Sequence, residues 1–124
     1  MNPLTIIFAL ILLPMIRNLH SSDELQGIIH TAENLLIYFF NDDCAPCMSL
    51  RPKVEALIRV KFPLMEMIYI DGKKFPDLTG EFRAFGFPVL LIFFEGKEFL
   101  RYSKYVSVTE LEESIGRIYR LYHQ

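Results

Sequence analysis

The sequence predicts an α/β fold in which a central mixed β-sheet has helices on both faces. Continuous apolar runs of strand length alternate with segments that have helical periodicity and helix-capping residues. The resulting order, β-α-β-α-β-α-β-β-α, is typical of parallel strands joined by crossover helices and followed by an antiparallel hairpin. With 124 residues, 52% of them hydrophobic, the chain has the size and composition of one domain with one core.

The first half of the chain supplies two strands and a helix between them. Residues 15–19 predict a short strand. Ser21, with Glu24 three residues later, forms a capping box that predicts a helix to about residue 32. Residues 35–40, LLIYFF, are wholly apolar and predict a central strand buried on both faces.

The middle of the chain repeats this alternation. A helix is expected over residues 45–61 and a strand, LMEMIYI, over residues 64–70. A short helix is expected over residues 77–84. These elements complete the part of the sheet that crossover helices connect.

The last part predicts a hairpin and a closing helix. Residues 89–94 and 99–102 are the two strands, with the four residues EGKE as the turn. Ser107 and Glu110 then cap an amphipathic helix that runs to about Tyr122.

The N-terminal segment does not belong to this pattern. Residues 3–16, PLTIIFALILLPMI, are almost wholly apolar, which is compatible with a signal peptide, a membrane anchor or buried structure. No Lys or Arg precedes the run, no A-x-A site follows it, and it is shorter than the roughly 20 residues that span a bilayer. We divide the chain into an apolar segment, 1–14, and a domain, 15–124. Export or membrane association through residues 3–16 is favoured over a cytoplasmic location.

Charge and motif content exclude several functions. The formal charge of −2 comes from 13 basic and 15 acidic residues scattered along the chain, so no basic face is available for nucleic acid. No G-x-G-x-x-G motif, P-loop or Ser/His/Asp arrangement occurs, and no cofactor is expected. His20, His30 and His123 lie far apart without ligand spacing, so no metal is expected either.

Both cysteines of the chain fall in one stretch, FFNDDCAPCMSLRP, at a predicted strand-to-helix junction. The first helical turn has unpaired N–H groups that favour a thiolate, so Cys44 is expected to be the more acidic and exposed thiol. Pro46 suits this turn because it has no N–H to lose there. Cys47, one turn further on, is placed to resolve a mixed disulfide by attacking Cys44.

Three other interpretations of the pair remain open. A structural disulfide would close a very small loop and add little stability. Half of a zinc site would need a second ligand pair, which the sequence lacks. Two inert buried thiols would fit a strand or helix interior better than a junction. A redox role is therefore favoured.

The wider pattern around the cysteines resembles the thioredoxin family. CAPC looks like the active site of that family, and Pro52 falls where its active-site helix is kinked. GFPVLLIFFEGK (86–97) is similar to the family's cis-proline segment and hairpin, and Asp71 after the third strand also matches. The resemblance covers about residues 15–122 and implies a thioredoxin fold.

The resemblance also implies a substrate groove. Phe87–Pro88 would be a cis bond facing Cys44, and Pro46 with Lys104 and Tyr105 would complete a groove that binds an extended peptide. The implied partners are proteins with exposed disulfides and a separate reductase or electron donor. The protein is expected to be a monomer.

Several positions depart from the family pattern. Asp43, preceded by Asp42, replaces the usual Trp, and the two carboxylates are expected to raise the pKa of Cys44. A buried Asp thought to assist proton transfer to the resolving cysteine is replaced by Tyr38, and the Lys facing it by Met67. Because both are replaced, neither charge is left buried without its counter-ion.

These features favour a thiol–disulfide oxidoreductase that reduces protein disulfides. Lys104 stands where the family has a Gly and places a positive charge near the sulfurs, so the balance between reductant and oxidant stays open. The alternative is a thioredoxin-fold binding module with little or no redox activity.

Overall fold

The structure, a computed structural model, describes residues 2–4 and 15–123. In the second range the chain forms a five-stranded sheet in the order β1-β3-β2-β4-β5. The strands are β1 (Ile16–Asn18), β2 (Asn34–Phe40), β3 (Glu66–Asp71), β4 (Val89–Phe94) and β5 (Lys97–Ser103). The helices are α1 (Leu25–Thr31), α2 (Ala45–Lys61), α3 (Pro76–Glu81) and α4 (Val108–Tyr122), with a 3-10 turn, Ser22–Glu24, before α1.

The sheet is mixed, as the sequence predicted. Strands β1, β3 and β2 run parallel, and β4 and β5 form the antiparallel hairpin beside β2. Parallel strands end at the same edge of a sheet, so the loop that follows β2 and the loop that follows β3 lie together. The cysteine stretch is the first of these loops.

Two hydrophobic clusters cover the two faces of the sheet, because successive strand residues point to opposite sides. One cluster joins Ile37 of β2 to residues of α1 and α3. The other joins Tyr38 of β2 to Cys47 and to residues of α2 and α4. The predicted sheet with helices on both faces is thereby confirmed.

Some predicted boundaries were wrong. The hairpin turn is Glu95–Gly96 and not the four residues EGKE, because both residues have positive φ, 50° and 78°, and reverse the chain in two steps. Helix α3 ends at Glu81 and not at residue 84, and Arg83 beyond it is left-handed (φ 52°). Strand β3 starts at Glu66 and not at residue 64, because the Met65 N–H is bonded to the Phe62 carbonyl.

The apolar N-terminal segment lies mostly outside the described residues, since residues 5–14 are not among them. Within the described part of the chain, no helix has both the length and the apolar character needed to cross a membrane.

Candidate active site

The two cysteines form a disulfide at the start of α2. Their Cα atoms are 5.2 Å apart. Cys44 is the N-cap residue, with an extended backbone, and its Sγ accepts a hydrogen bond from the Cys47 backbone N–H at 3.2 Å. Cys44 is half-buried, whereas Cys47 is completely buried. Cys44, at the helix N-terminus, is thus the cysteine of the pair that has solvent-exposed surface.

The sequence between the sulfurs matches the geometry of a helix start. Ala45 and Pro46 are the first two residues of α2, where no backbone N–H is needed for the helix. Both are exposed. The turn before them is held by hydrogen bonds to Asn41, whose carbonyl accepts from the Cys44 N–H and whose side chain accepts from the Asp43 N–H.

A second segment faces this turn. The Phe87–Pro88 peptide bond is cis, as the resemblance implied. The Pro88 carbonyl accepts a hydrogen bond from the Lys104 backbone N–H at 2.9 Å, which ties the loop after β5 to the start of β4. The Phe87 ring lies against Gly72 in the loop after β3.

A groove of about 440 Å³ lies between the first half of α2, the loop after β5 and the start of α4. Its lining includes four of the five residues predicted to bind substrate: Pro46, Pro88, Lys104 and Tyr105. The fifth, Phe87, is not among the lining residues, because its ring turns toward Gly72 and the two hydrophobic clusters. The structure therefore brings together four of these positions, and their role stays a prediction.

The groove also includes residues that the sequence analysis missed. Ser49, Leu50 and Lys53 follow Pro46 at intervals of three, four and seven, which is the spacing of one helix face, so this signal was available in the sequence. Glu110 joins from the first turn of α4. No local pattern indicated that Glu110 lines the same groove as Lys53, since that depends on how α4 packs.

Lys104 forms part of the groove wall. Its backbone is left-handed (φ 64°), and its aliphatic stem lies over Gly86, where an added Cβ would come within 2.6 Å of the Lys104 Cε. Tyr105 beside it is 93% exposed. The wall therefore presents an exposed lysine and an exposed aromatic ring to solvent.

One of the two carboxylates before Cys44 is paired with a lysine. The Lys73 Nζ donates to the Asp43 Oδ2 at 2.5 Å, and both side chains are exposed. The hydrogen bond and the charge of Lys73 lower the pKa of Asp43, and Asp43 raises the pKa of Lys73 in turn. Asp42 is exposed as well. Lys73, which no sequence pattern indicated as a partner, therefore places a positive charge beside Asp43, and the expected effect of the two carboxylates on the pKa of Cys44 stays a prediction.

Tyr38 and Met67 occupy the positions of the replaced charged pair, and both are completely buried in the cluster that contains Cys47. The Tyr38 hydroxyl donates to the Cys47 carbonyl oxygen at 2.6 Å. The Tyr38 ring meets Tyr69 edge-on, with ring centroids 5.2 Å apart. A group of three or more potential metal-ligating side chains is not found among residues 2–4 and 15–123.

Comparisons of sequence point to one family. The family model described as Thioredoxin matches residues 18–117. The thioredoxin-like protein YdfQ of Bacillus subtilis (strain 168) is 32% identical over 104 residues, which cover 84% of this chain and 92% of that protein. The chloroplastic thioredoxin X of Arabidopsis thaliana is 29% identical over 83 residues, which cover 67% of this chain and 46% of that protein.

Solved structures show the same fold. Thioredoxin from Trypanosoma brucei brucei superposes with a TM-score of 0.76 at 18% identity, covering 86% of this chain and 93% of that one. Fasciola hepatica thioredoxin superposes with a TM-score of 0.72 at 28% identity, covering 82% of this chain and 98% of that one.

Proposed function

The chain belongs to the thioredoxin family, and from that premise we propose that it reduces protein disulfides through a dithiol–disulfide cycle of Cys44 and Cys47. The family and a cysteine pair at disulfide distance support a thiol–disulfide oxidoreductase. The proposal adds the reducing direction and the protein substrate. The asymmetry of the pair supports it most directly, because Cys44 is reachable and Cys47 is buried behind it.

The first step is attack by Cys44 on a substrate disulfide. In the reduced protein the Cys44 thiolate lies at the N-terminus of α2, where the Cys47 N–H already points at Sγ. Such donors and the helix dipole stabilise a thiolate. The thiolate forms a bond to one substrate sulfur, and the substrate S–S bond breaks. The other substrate sulfur leaves with the electron pair and takes a proton from solvent.

The second step is resolution by Cys47. The Cys47 thiol loses its proton to solvent, and its sulfur attacks Cys44 Sγ. The bond from Cys44 to the substrate breaks, and the second substrate thiolate leaves. Two electrons have then passed to the substrate, and the protein is left in the disulfide form seen here. A separate reductase or electron donor must return two electrons for the next cycle.

The groove lies beside the cysteine pair, since its lining includes Pro46 but neither cysteine, and it would hold the substrate chain to one side of Cys44 during both steps. An extended peptide laid along Pro46 and Pro88 contacts Tyr105 and comes near the charges of Lys104 and Glu110. Recognition of this kind uses the peptide backbone for affinity and side-chain pockets for selectivity.

The residues between the sulfurs support the reducing direction. Ala45 and Pro46 have no charge that could stabilise a thiolate, and the neighbouring Asp42 disfavours one. These residues therefore add no thiolate stabilisation to that of the helix N-terminus, and a dithiol with less thiolate stabilisation has a more stable disulfide and is a better electron donor.

Insulin-disulfide reduction tests the scheme. Cys44→Ser should abolish reduction, and Cys47→Ser should accumulate a mixed disulfide with the substrate, detected by mass. Each variant serves as the control for the other, since each removes one sulfur from the same turn. Unchanged reduction by Cys44→Ser would refute the scheme. A pair with no measurable midpoint potential in a glutathione buffer would instead favour a binding module.

Residues 3–16 are proposed to associate the protein with a membrane. The proposal rests on their apolar sequence. Cell fractionation of the untagged protein should place it with membranes, and deletion of residues 1–14 should release it. Recovery of the full chain in the soluble fraction would contradict this.

A further inference from the structure

Tyr38 lies directly beneath the cysteine pair. It is in the middle of the central strand β2, paired with Tyr69 on one side and Leu90 on the other. Its side chain is completely buried, so its hydroxyl must find a partner within the protein. That partner is the carbonyl oxygen of Cys47, at 2.6 Å.

This hydrogen bond completes the fixation of the Cys47 backbone. The Cys47 N–H donates to Cys44 Sγ at 3.2 Å, and the Cys47 carbonyl accepts from Tyr38 at 2.6 Å. Both backbone polar groups of the buried cysteine are therefore bonded to specific side chains, one above the turn and one below it.

The helix itself is weakened at this point. Pro52 lies inside α2 and has no N–H, so the carbonyl of Met48 lacks its usual helical donor. The turn that contains Cys47 therefore receives less support from the turn that follows. The Tyr38 hydroxyl donates to the neighbouring carbonyl, that of Cys47, and so adds a contact between this turn and the sheet below it.

The Tyr38 hydroxyl holds the Cys47 backbone as a hydrogen-bond donor and takes no part in proton transfer. Burial raises the pKa of Tyr38 well above its ordinary value, with the charge of Arg51 opposing the shift. Burial and the hydrogen bond to Glu55 also raise the pKa of the neighbouring Tyr69, so this phenol stays neutral as well. The phenol therefore keeps its proton and goes on donating to Cys47.

We infer that Tyr38 is a positioning residue that holds the turn of Cys47 so that Cys47 Sγ stays aligned with Cys44 Sγ in the mixed disulfide. The inference rests on the proposed dithiol–disulfide cycle. When a nucleophile is already aligned with its target, less conformational freedom is lost on reaching the transition state. Alignment of Cys47 Sγ with Cys44 Sγ therefore accelerates the resolving step and favours closure of the disulfide. Tyr38 exchanges neither proton nor electron in this step.

The test compares Tyr38→Phe with Tyr69→Phe. Each variant removes one hydroxyl from one of two buried tyrosines in edge-on contact, and each loses one hydrogen bond. Only Tyr38 is bonded to the active-site backbone, because the Tyr69 hydroxyl donates to Glu55. Tyr69→Phe is therefore a control for the loss of stability alone.

Single-turnover quench with mass detection gives the lifetime of the mixed disulfide. Tyr38→Phe should lengthen it roughly fivefold, as expected for one lost hydrogen bond, and leave the rate of Cys44 attack unchanged. The midpoint potential in a glutathione buffer should become less negative by about 20 mV, which is the same fivefold change at about 30 mV per tenfold. Tyr69→Phe should change neither quantity.

If Tyr38→Phe lowers stability while lifetime and potential equal those of Tyr69→Phe, Tyr38 is structural only and the inference fails. Should the variant unfold, repeating both measurements with sucrose, which favours the folded state, keeps the comparison decisive. The potential needs no protein substrate. It therefore still tests Tyr38 if the insulin experiment refutes protein-disulfide reduction.

Discussion

Gly72 allows the Phe87 ring to pack beside the active site, and its replacement by Ala tests that contact. A Cβ built on Gly72 would come within 2.5 Å of the Phe87 Cε1 and closer still to Cζ. Non-bonded carbon atoms prefer about 3.5–4.0 Å, so the ring would have to retreat by an ångström or more. The ring is half-buried and packs against both hydrophobic clusters, so moving away from Gly72 would cost it part of this packing. Overpacking of this kind costs about 1–3 kcal/mol, and we expect about 2 kcal/mol for Gly72→Ala.

Urea unfolding followed by circular dichroism measures the change in the free energy of unfolding. Gly80→Ala is the matched control: an added Cβ there meets nothing within 4 Å, and α3 gains up to about 1 kcal/mol of helix propensity. Insulin reduction should fall with Gly72→Ala, because Phe87 precedes the groove residue Pro88.

A double-mutant cycle isolates the contact itself. In a Phe87→Ala background the ring is absent, so Gly72→Ala should cost close to nothing, and the coupling energy should be about 2 kcal/mol. An equal cost of Gly72→Ala in both backgrounds would refute the argument, since the clash would then not be with Phe87.

Two further predictions concern charge and backbone around the groove. Lys73 lowers the pKa of Asp43, so the pair stabilises the fold above the ordinary aspartate pKa of about 3.9 and loses that effect as the pH falls through the lowered folded value. The urea-midpoint difference between wild type and Asp43→Asn should therefore be small, shrink on acidification and vanish in high salt; a difference that persists in acid would contradict the pairing. The backbone of Lys104 is left-handed, so Lys104→Gly should keep the free energy of unfolding or raise it by up to about 1 kcal/mol. Lys104→Val should lower the free energy of unfolding, because a β-branched residue is strained at this φ. Equal losses in the two variants would show that the packing of the Lys104 stem, and not its φ, decides the stability.

Local signals predicted most of the fold. Helix α2 has its predicted bounds because Cys44 and Pro46 define a helix start by local chemistry alone. Strand β4 also has its predicted bounds, as expected for six apolar residues between turn residues. The hairpin turn was placed too broadly, since a positive φ at Glu95 is rare for a residue with a Cβ and the sequence does not indicate it.

The site was less predictable where distant loops meet. The pairing of Lys73 with Asp43 joins the loops after β3 and β2, and 30 positions separate the two residues. The hydrogen bond from Tyr38 to Cys47 depends on where α2 crosses β2. No periodicity or spacing in the sequence indicates either contact, because both follow from how packed elements are oriented.

The parallel arrangement of β1 and β2 fixes where this domain can be joined to other molecules. Met15 leads into β1, and the His123 ring is 2.8 Å from the Asn34 amide at the first residue of β2, so both lie at the pole where the parallel strands begin. The sulfurs lie at the other pole, about 20 Å away at 3.3 Å per residue of β2. A solid support or a second domain attached at Met15 or at His123 would therefore leave the disulfide facing away from the attachment. Insertion of the domain into a loop of a host protein would likewise leave the disulfide exposed.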